Sequence, residues 1–264
     1  MPTDLLSGLS GALVGAILGL VGGGGSVLAV PLLVYGVGVS SAHVAIGTSA
    51  LAVAASAFAN LIGHWRARTV KWRCGLTFAA AGVIGAFGGS TLAKSIDGAK
   101  LLALFGALMI VVGIAMFLKR KAEGNPDVRL TRASARYLLP WLIGGGLGVG
   151  LLSGFFGIGG GFLIVPALMV ATGMSLPFAI GTSLIAVTAF GAATAASYAA
   201  SGLIDWRIAG IFILGGVLGG VGGSSLGRLL AGRKGSLGTV LAAVIMAVGV
   251  YVVARSAMDW IGPS

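Results

Sequence analysis

Charged side chains are scarce in this chain. They make up 9% of its 264 residues, whereas hydrophobic residues make up 57%. Soluble domains carry about 25% charged residues, so the composition excludes an ordinary soluble domain. Several apolar runs are longer than about 18 residues, which is enough for a helix to cross a bilayer. We therefore expect an all-α polytopic protein embedded in a lipid bilayer.

Acidic residues are rarer still, and this limits the chemistry. The chain has six, and none lies in the middle of an apolar run. Ionisable groups inside a membrane normally mark proton relays or cation paths. Their absence argues against a carboxylate-driven proton antiporter, a site for a bare metal ion and an intramembrane aspartyl protease. His43 and His64 fall near span ends, where interfacial capping is the simplest role and proton coupling is the alternative.

Cysteine and nucleotide-binding motifs give no sign of an enzyme. The single cysteine, Cys74, excludes an intramolecular disulfide. The glycine runs lack the Lys-Ser/Thr of a phosphate-binding loop and the spacing of a dinucleotide fingerprint. We therefore predict no catalytic residue, no metal site and no cofactor. The N-terminus lacks the basic region of a cleavable signal peptide, so we expect the first apolar segment to be retained.

Most of the few charges are basic, and they lie between the apolar runs. The net charge is +11, yet no solvated basic face is present, so nucleic acid is not an expected partner. Basic residues mark cytoplasmic loops in membrane proteins. The loop 63–73 holds four basic residues and no acid, whereas its counterpart 200–207 holds one of each. The next pair of loops shows the reverse bias, which favours two halves inserted upside down relative to each other.

Two glycine-rich breaks followed by a proline interrupt the apolar runs. They lie at 22–31 and 157–166. Glycine adds little to helix stability and tolerates positive φ, so we expect the backbone to unwind there. The first apolar segment is also too long for one straight span, so it either folds back at the glycines or is partly non-helical. Paired breaks in the two halves of a membrane protein indicate a transport site.

The breaks belong to an internal duplication. The Ala-Ile-Gly-Thr-Ser sequence at 45–49 recurs at 179–183, and Trp72-Arg73 recurs as Trp206-Arg207, all at an offset of 134. The glycines and proline of the breaks match at an offset of 135. One consistent offset indicates two homologous repeats.

Each repeat is predicted to have a glycine-broken first segment and three full spans, which gives 8 to 10 transmembrane segments in all. We expect repeats at 1–118 and 138–264, joined by a basic cytoplasmic linker at 119–137. Inverted repeats are favoured, and eight conventional spans in two parallel repeats are the alternative.

The breaks and the repeated Thr-Ser pairs form the predicted substrate site. Helix N-termini after the breaks present unpaired N–H groups, which favour anions. The Thr-Ser pairs lie about two turns into the following spans, deep enough to reach the breaks. The predicted substrate-binding residues are Gly23, Gly24, Gly25, Ser26, Thr48, Ser49, Gly159, Gly160, Gly161, Thr182 and Ser183. Further candidates are Asn60, His43 and Tyr198. For any one hydroxyl, a bond to its own helix is the alternative.

These motifs occur twice in the same order: the break ending in Val-Pro, the Ala-Ile-Gly-Thr-Ser sequence, and the Trp-Arg pair with its glycine-rich span. In them the chain resembles the sulfite exporter TauE/SafE family, also called the TSUP family. The resemblance implies a bacterial inner-membrane permease for small sulfur-containing anions such as sulfite, thiosulfate, sulfoacetate and other organosulfonates.

The main hypothesis is a secondary transporter that works as an exporter. The first alternative is an anion channel with a continuous pore, and the second is a membrane scaffold without transport activity. A homo-oligomer stays an open prediction.

Overall fold

Every element that the structure describes is helical. The computed structural model describes residues 2–118, 132–158, 161–229, 243 and 245–255, and no strand occurs among them. The helices are α1 (Pro2–Val21), α2 (Ala42–Arg66), α3 (Trp72–Ala93), α4 (Gly98–Leu118), α5 (Arg132–Phe156), α6 (Gly161–Thr172), α7 (Leu176–Ala199), α8 (Trp206–Leu229) and α9 (Ile245–Arg255). Six of these described helices, α1, α2, α3, α5, α7 and α8, are long and apolar enough to cross a membrane. The prediction of an all-α polytopic protein is confirmed.

Polar side chains cap the starts of two long helices. The Ser41 hydroxyl accepts a hydrogen bond from the N–H of Val44 (3.4 Å), which caps α2. Asp205 caps α8 in the same way, through the N–H of Ile208 (2.9 Å). Helix α5 begins at Arg132, inside the predicted linker, because the residues after Arg132 include no helix breaker before the apolar run.

Rows of glycine join the helices in two parallel pairs. The glycines of α1 lie directly against backbone carbonyls of α8: Gly11 against Phe212, Gly15 against Gly216 and Gly19 against Gly220. The glycines of α5 lie in the same way against α3: Gly146 against Phe78, Gly150 against Gly82 and Gly154 against Ala86. A side chain at these positions would separate the backbones, so small residues allow the close approach that helix pairs use in lipid.

Helices α2 and α7 form the centre of the molecule and run in opposite directions. Gly47 near the start of α2 lies against Tyr198 near the end of α7, and Gly191 of α7 lies against Ala50 and Ala54 of α2. In the apolar 18-residue stretch that qualifies each helix as a membrane span, 72% of the residues of α2 and 67% of those of α7 are buried. Most of their length therefore faces protein.

The chain folds back at the first glycine break. Residues 22–28 form a 3₁₀ helix, and Leu32–Val37 a π-helical turn. Gly25 lies against the backbone of Val14 and Leu18, so the chain reverses along α1. Ser56 and Asn60 of α2 lie against Gly216 and Gly220 of α8 in the same order, so α2 runs parallel to α8 and hence to α1. Residues 22–41 must therefore return across the molecule before α2 begins.

The second half makes the same return. Gly75 of α3 lies against Thr182 of α7, and Gly82 lies against Phe190, so α3 and α7 are parallel. Because α5 is also parallel to α3, α5 and α7 run in one direction. The chain between them, including α6, must run back the other way.

Candidate functional site

The two glycine breaks lie side by side inside the protein. The 3₁₀ segment 22–28 contacts α6, which begins directly after the second break. Gly23 lies in this segment, and Gly24, Gly25 and Ser26 are buried in it. Gly161, the first residue of α6, is also buried. Gly159 and Gly160 lie outside the described residues.

The described residues of both breaks are closely packed. Gly157 has φ +66° and lies against the side chain of Ile46 of α2, while Gly25 lies against the backbone of α1. The expected unwinding is wrong for the first break, where residues 22–28 stay helical as a 3₁₀ helix, and it is seen at Gly157 and Ile158 of the second break. In hydrocarbon, a non-helical backbone must be buried in protein or line a polar cavity, and the contact of Gly157 with Ile46 meets that requirement. The glycines are needed here for close approach and, at Gly157, for positive φ as well.

The serine of the first Thr-Ser pair reaches the break of the other half. Ser49 Oγ lies 2.9 Å from the carbonyl oxygen of Ile46 and 3.3 Å from that of Gly157, and its single proton is shared between these two acceptors. Ser183 Oγ donates to the carbonyl of Ile180 (2.7 Å), within its own helix. The structure therefore brings Ser49 to the second break, whereas the hydroxyl of Ser183 bonds within its own helix.

The threonines of both pairs hold loops of the opposite half. Thr48 Oγ1 accepts from the N–H of Asp205 (3.0 Å), and Thr182 Oγ1 accepts from the N–H of Lys71 (2.9 Å). Both threonines are fully buried. Lys71 and Asp205 directly precede α3 and α8, so each hydroxyl satisfies an N–H at a helix start. The sequence did not indicate this structural role, because it shows the repeat but not the partner.

The three further candidates do not come together. Asn60 Nδ2 donates to the carbonyl of Ser56 (2.9 Å) and lies between α1 and α8. His43 Nε2 lies 3.3 Å from the carbonyl oxygen of Ala93, at the opposite end of α2. Tyr198 is fully buried beside Gly47, at the same end as His43, and its hydroxyl has no hydrogen-bond partner among the described residues.

One charged residue near this end was not among the predicted site residues. Lys94 Nζ donates to the carbonyl oxygen of Ser197 (3.2 Å), to its hydroxyl (3.1 Å) and to the hydroxyl of Ser201 (3.0 Å). It also lies 5.8 Å from the centroid of the Tyr198 ring. In the sequence, Lys94 follows an apolar run and reads only as a loop charge, so no local signal links it to α7.

Two surface cavities lie away from the breaks. One, of about 450 Å³, is an apolar groove between α2 and α7 whose lining includes Leu51, Phe58 and Ala195. The other, of about 390 Å³, lies at the loop after α2 and includes Trp65 and Arg68. Neither lining contains a residue of the breaks or of the Thr-Ser pairs. Within the described ranges, no group of three or more His, Cys, Asp or Glu residues could hold a metal ion.

Comparison with known proteins agrees with the resemblance seen in the motifs. The chain matches the family model described as "Sulfite exporter TauE/SafE" over residues 7–252. A probable membrane transporter protein of Xylella fastidiosa (strain 9a5c) is 48% identical over 254 residues, which cover 94% of each chain. The probable membrane transporter protein YunE of Bacillus subtilis (strain 168) is 27% identical over 241 residues, which cover 83% of this chain and 86% of YunE. No solved structure matches the chain.

The family match covers both glycine breaks and both Thr-Ser pairs, and the relatives are named as membrane transporters. Six described helices can cross a membrane. The protein is a multi-pass membrane transporter that belongs to the sulfite exporter TauE/SafE family.

Proposed function

We propose that this transporter exports small sulfur-containing anions such as sulfite, thiosulfate, sulfoacetate or another organosulfonate. The observation that carries the proposal is the meeting of the two breaks: the segment 22–28 contacts α6, and Ser49 donates to the carbonyl of Gly157. Amide N–H groups at the start of a helix attract anions without a formal charge. A site built from such groups also fits a chain in which no acid lies within an apolar run.

The proposed site lies near mid-membrane, between the two halves. The backbone of Gly23–Ser26 and of Gly159–Gly161 would supply N–H donors, and the hydroxyls of Ser49 and Ser183 would complete the shell. Thr48 and Thr182 would support the site by holding the loops of the opposite half. The close packing of the described parts of both breaks favours a carrier over the alternative, an anion channel with a continuous pore.

We also propose that the halves are inverted repeats of five segments each. The contacts of Thr48 with Asp205 and of Thr182 with Lys71 are equivalent under the offset of 134. Equivalent helices also run in opposite directions, as α2 and α7 do. A two-fold axis that reverses equivalent helices lies in the plane of the membrane, as in many carriers that rock one repeat against the other.

The charge distribution orients this arrangement. With five passes per half, the loop 67–71 and the linker after α4 lie on one face of the membrane, and the residues 94–97 and 200–205 lie on the other. Arg66 ends α2, the loop contains Arg68 and Lys71, and Arg73 lies in the first turn of α3. By the positive-inside rule we assign this face to the cytoplasm.

The test is counterflow of radiolabelled sulfite in proteoliposomes. We compare the wild type with the double variant Ser49→Ala and Ser183→Ala, using the exposed Ser95→Ala as the matched control. We expect saturable counterflow in the wild type and the control, and a loss of about tenfold or more in the double variant. Wild-type counterflow in the double variant would refute the site. Unitary currents in planar bilayers would identify a channel instead of a carrier.

A further inference from the structure

The seam between α3 and α7 has a lysine at each end. The two helices are parallel, with Gly75 against Thr182, Gly82 against Phe190 and Lys94 bonded to Ser197 and Ser201. Lys71 lies at the other end, with its Nζ 4.2 Å from the centroid of the Phe178 ring. The 23 residues from Lys71 to Lys94 span about 35 Å of helix, close to the thickness of a bilayer core. One lysine therefore lies near each face of the membrane.

The ammonium group of Lys94 is half-buried and has no acid to balance it. Its three acceptors on α7 are a carbonyl and two hydroxyls, none of which carries a formal charge. Within the described part of the chain, no carboxylate forms an ion pair with it. A half-buried cation without a counter-charge attracts anions from the adjacent solution.

Helix α7 carries two buried hydroxyls without partners near the end that binds Lys94. Thr194 Oγ1 and Tyr198 Oη have no hydrogen-bond partner among the described residues, and both residues are fully buried. Other hydroxyls of the membrane helices, such as those of Thr172, Ser183 and Thr188, donate to their own helix. Buried polar groups are rarely left unpaired. The hydroxyls of Ser56 and Ser153 are two further exceptions among the described residues, and the pair on α7 differs from them by the Lys94 ammonium near the Tyr198 ring, which points to an anionic ligand.

The geometry of the helix sets both side chains on one face of α7. Thr194 and Tyr198 are four residues apart, so they lie one above the other on the same face of α7. Side chains on a helix lean toward its N-terminus, which directs the Tyr198 hydroxyl away from the helix end and toward the level of Thr194. The register of the seam sets Thr194 between the Gly82–Phe190 contact and Lys94.

An aromatic pair closes the inner end of this part of the seam. The rings of Phe78 and Phe190 stack with their centroids 6.0 Å apart. Gly82 leaves room for the Phe190 ring, because a Cβ at that position would overlap it. Along α7, Thr194 and Tyr198 therefore lie between Phe190 and Ser201, which binds Lys94, and the Tyr198 side chain also packs against Gly47 of α2.

The positions of the first half that are equivalent to Thr194 and Tyr198 carry other residues. The residues 134 positions before Thr194 and Tyr198 are Asn60 and His64. The Asn60 amide donates to the carbonyl of Ser56 (2.9 Å), and His64 Nδ1 lies 2.9 Å from Thr69 Oγ1. Both side chains have partners within their own half, so the first half has no equivalent of the unpaired Thr194 and Tyr198 hydroxyls.

We propose that Lys94, Thr194 and Tyr198 form a binding site for a small oxyanion or sulfonate group, at the end of the seam away from the cytoplasm. The ammonium supplies charge, and the two hydroxyls donate hydrogen bonds to separate oxygens of the anion. This site would hold the substrate on its way between the breaks and the outer solution. The inference rests on the proposed function and adds a charged residue to it.

The experiment measures binding of sulfite, thiosulfate and sulfoacetate to the purified full chain, by calorimetry and by thermal stabilisation, at constant ionic strength. The variants are Lys94→Gln, Lys94→Arg, Thr194→Val and Tyr198→Phe. The matched control is Lys100→Gln, which removes an exposed lysine six residues away. We expect Lys94→Gln to weaken binding about tenfold or more, Lys94→Arg to retain most of it, and the control to match the wild type.

The hydroxyl variants separate a binding role from a structural one. Because neither hydroxyl has a partner, Thr194→Val and Tyr198→Phe should keep or raise the melting temperature without anion, while the stabilisation by anion falls severalfold. Wild-type affinity in these two variants overturns the proposal, even if Lys94→Gln fails to fold. If the wild type binds none of the three anions, the proposed function fails and this site fails with it. Normal wild-type binding with unaffected variants refutes the site alone.

Discussion

The hydroxyl of Thr48 accepts a hydrogen bond from the backbone N–H of Asp205 (3.0 Å), which joins the first half of the chain to the second. Thr182 of the second half accepts the equivalent bond from the backbone N–H of Lys71 in the first half (2.9 Å). Each half therefore fixes the start of one helix of the other half: the first half fixes α8, and the second half fixes α3. These bonds give both threonines a structural role that does not depend on contact with a substrate.

Replacing either threonine by valine should destabilise the protein. Thr48→Val and Thr182→Val keep the shape but leave a helix-start N–H without its acceptor, which costs about 1–3 kcal/mol. Thermal unfolding followed by size-exclusion chromatography measures the loss. Ser183→Ala is the control, since Ser183 bonds only within its own turn. An unchanged melting temperature in both valine variants would contradict the structural role.

The second prediction tests the contact of the α5 glycine row with α3, using a variant and a control in the same helix. Gly150→Ala should disrupt the α3–α5 pair, because the added methyl would overlap the backbone of Gly82. Gly148→Ala, two residues earlier, is the matched control, since no described atom lies within 4 Å of its Cβ position. We expect Gly148→Ala to be neutral or stabilising by up to about 1 kcal/mol, because alanine favours the helix. Equal expression and melting temperatures for the two variants would show that the row is not in contact.

Gly157 at the second break should tolerate alanine poorly, for two separable reasons. It has φ +66°, and a Cβ there would overlap the side chain of Ile46. Gly173 has a similar φ of +71° with no described atom near its Cβ position, so Gly173→Ala measures the backbone cost alone, about 1 kcal/mol. We expect Gly157→Ala to lower the melting temperature clearly more. If both variants lower the melting temperature by the same amount, the packing of the break against Ile46 contributes nothing to stability.

The inverted arrangement is tested by labelling two matched positions. Ala67 and Ala200 are the exposed C-cap residues of α2 and α7, which run in opposite directions. In a background without Cys74, we expect Ala67→Cys to react with an impermeant maleimide only after the cells are opened, and Ala200→Cys to react in intact cells. Labelling of both from the same side would indicate parallel repeats.

How far the sequence predicted this molecule depends on whether a feature is local or needs a distant partner. The helical class followed from the apolar runs, and the break at Gly22–Gly25 followed from glycine chemistry. The return of the chain along α1 was one of two alternatives, because glycine permits a reversal but does not set its direction. The roles of Thr48 and Lys94 could not be predicted, since their partners lie 157 and more than 100 residues away.

The pairing of α1 with α8 also constrains how the protein is made. The glycines of α1 find their carbonyl partners only in α8, which begins at Trp206. At about 5–20 residues per second, a ribosome needs roughly ten to forty seconds to synthesise the chain between them. The first helix must wait in the membrane throughout that interval. A nascent chain that stops short of Trp206 would keep this glycine face uncovered, where lipid or a foreign helix could occupy it.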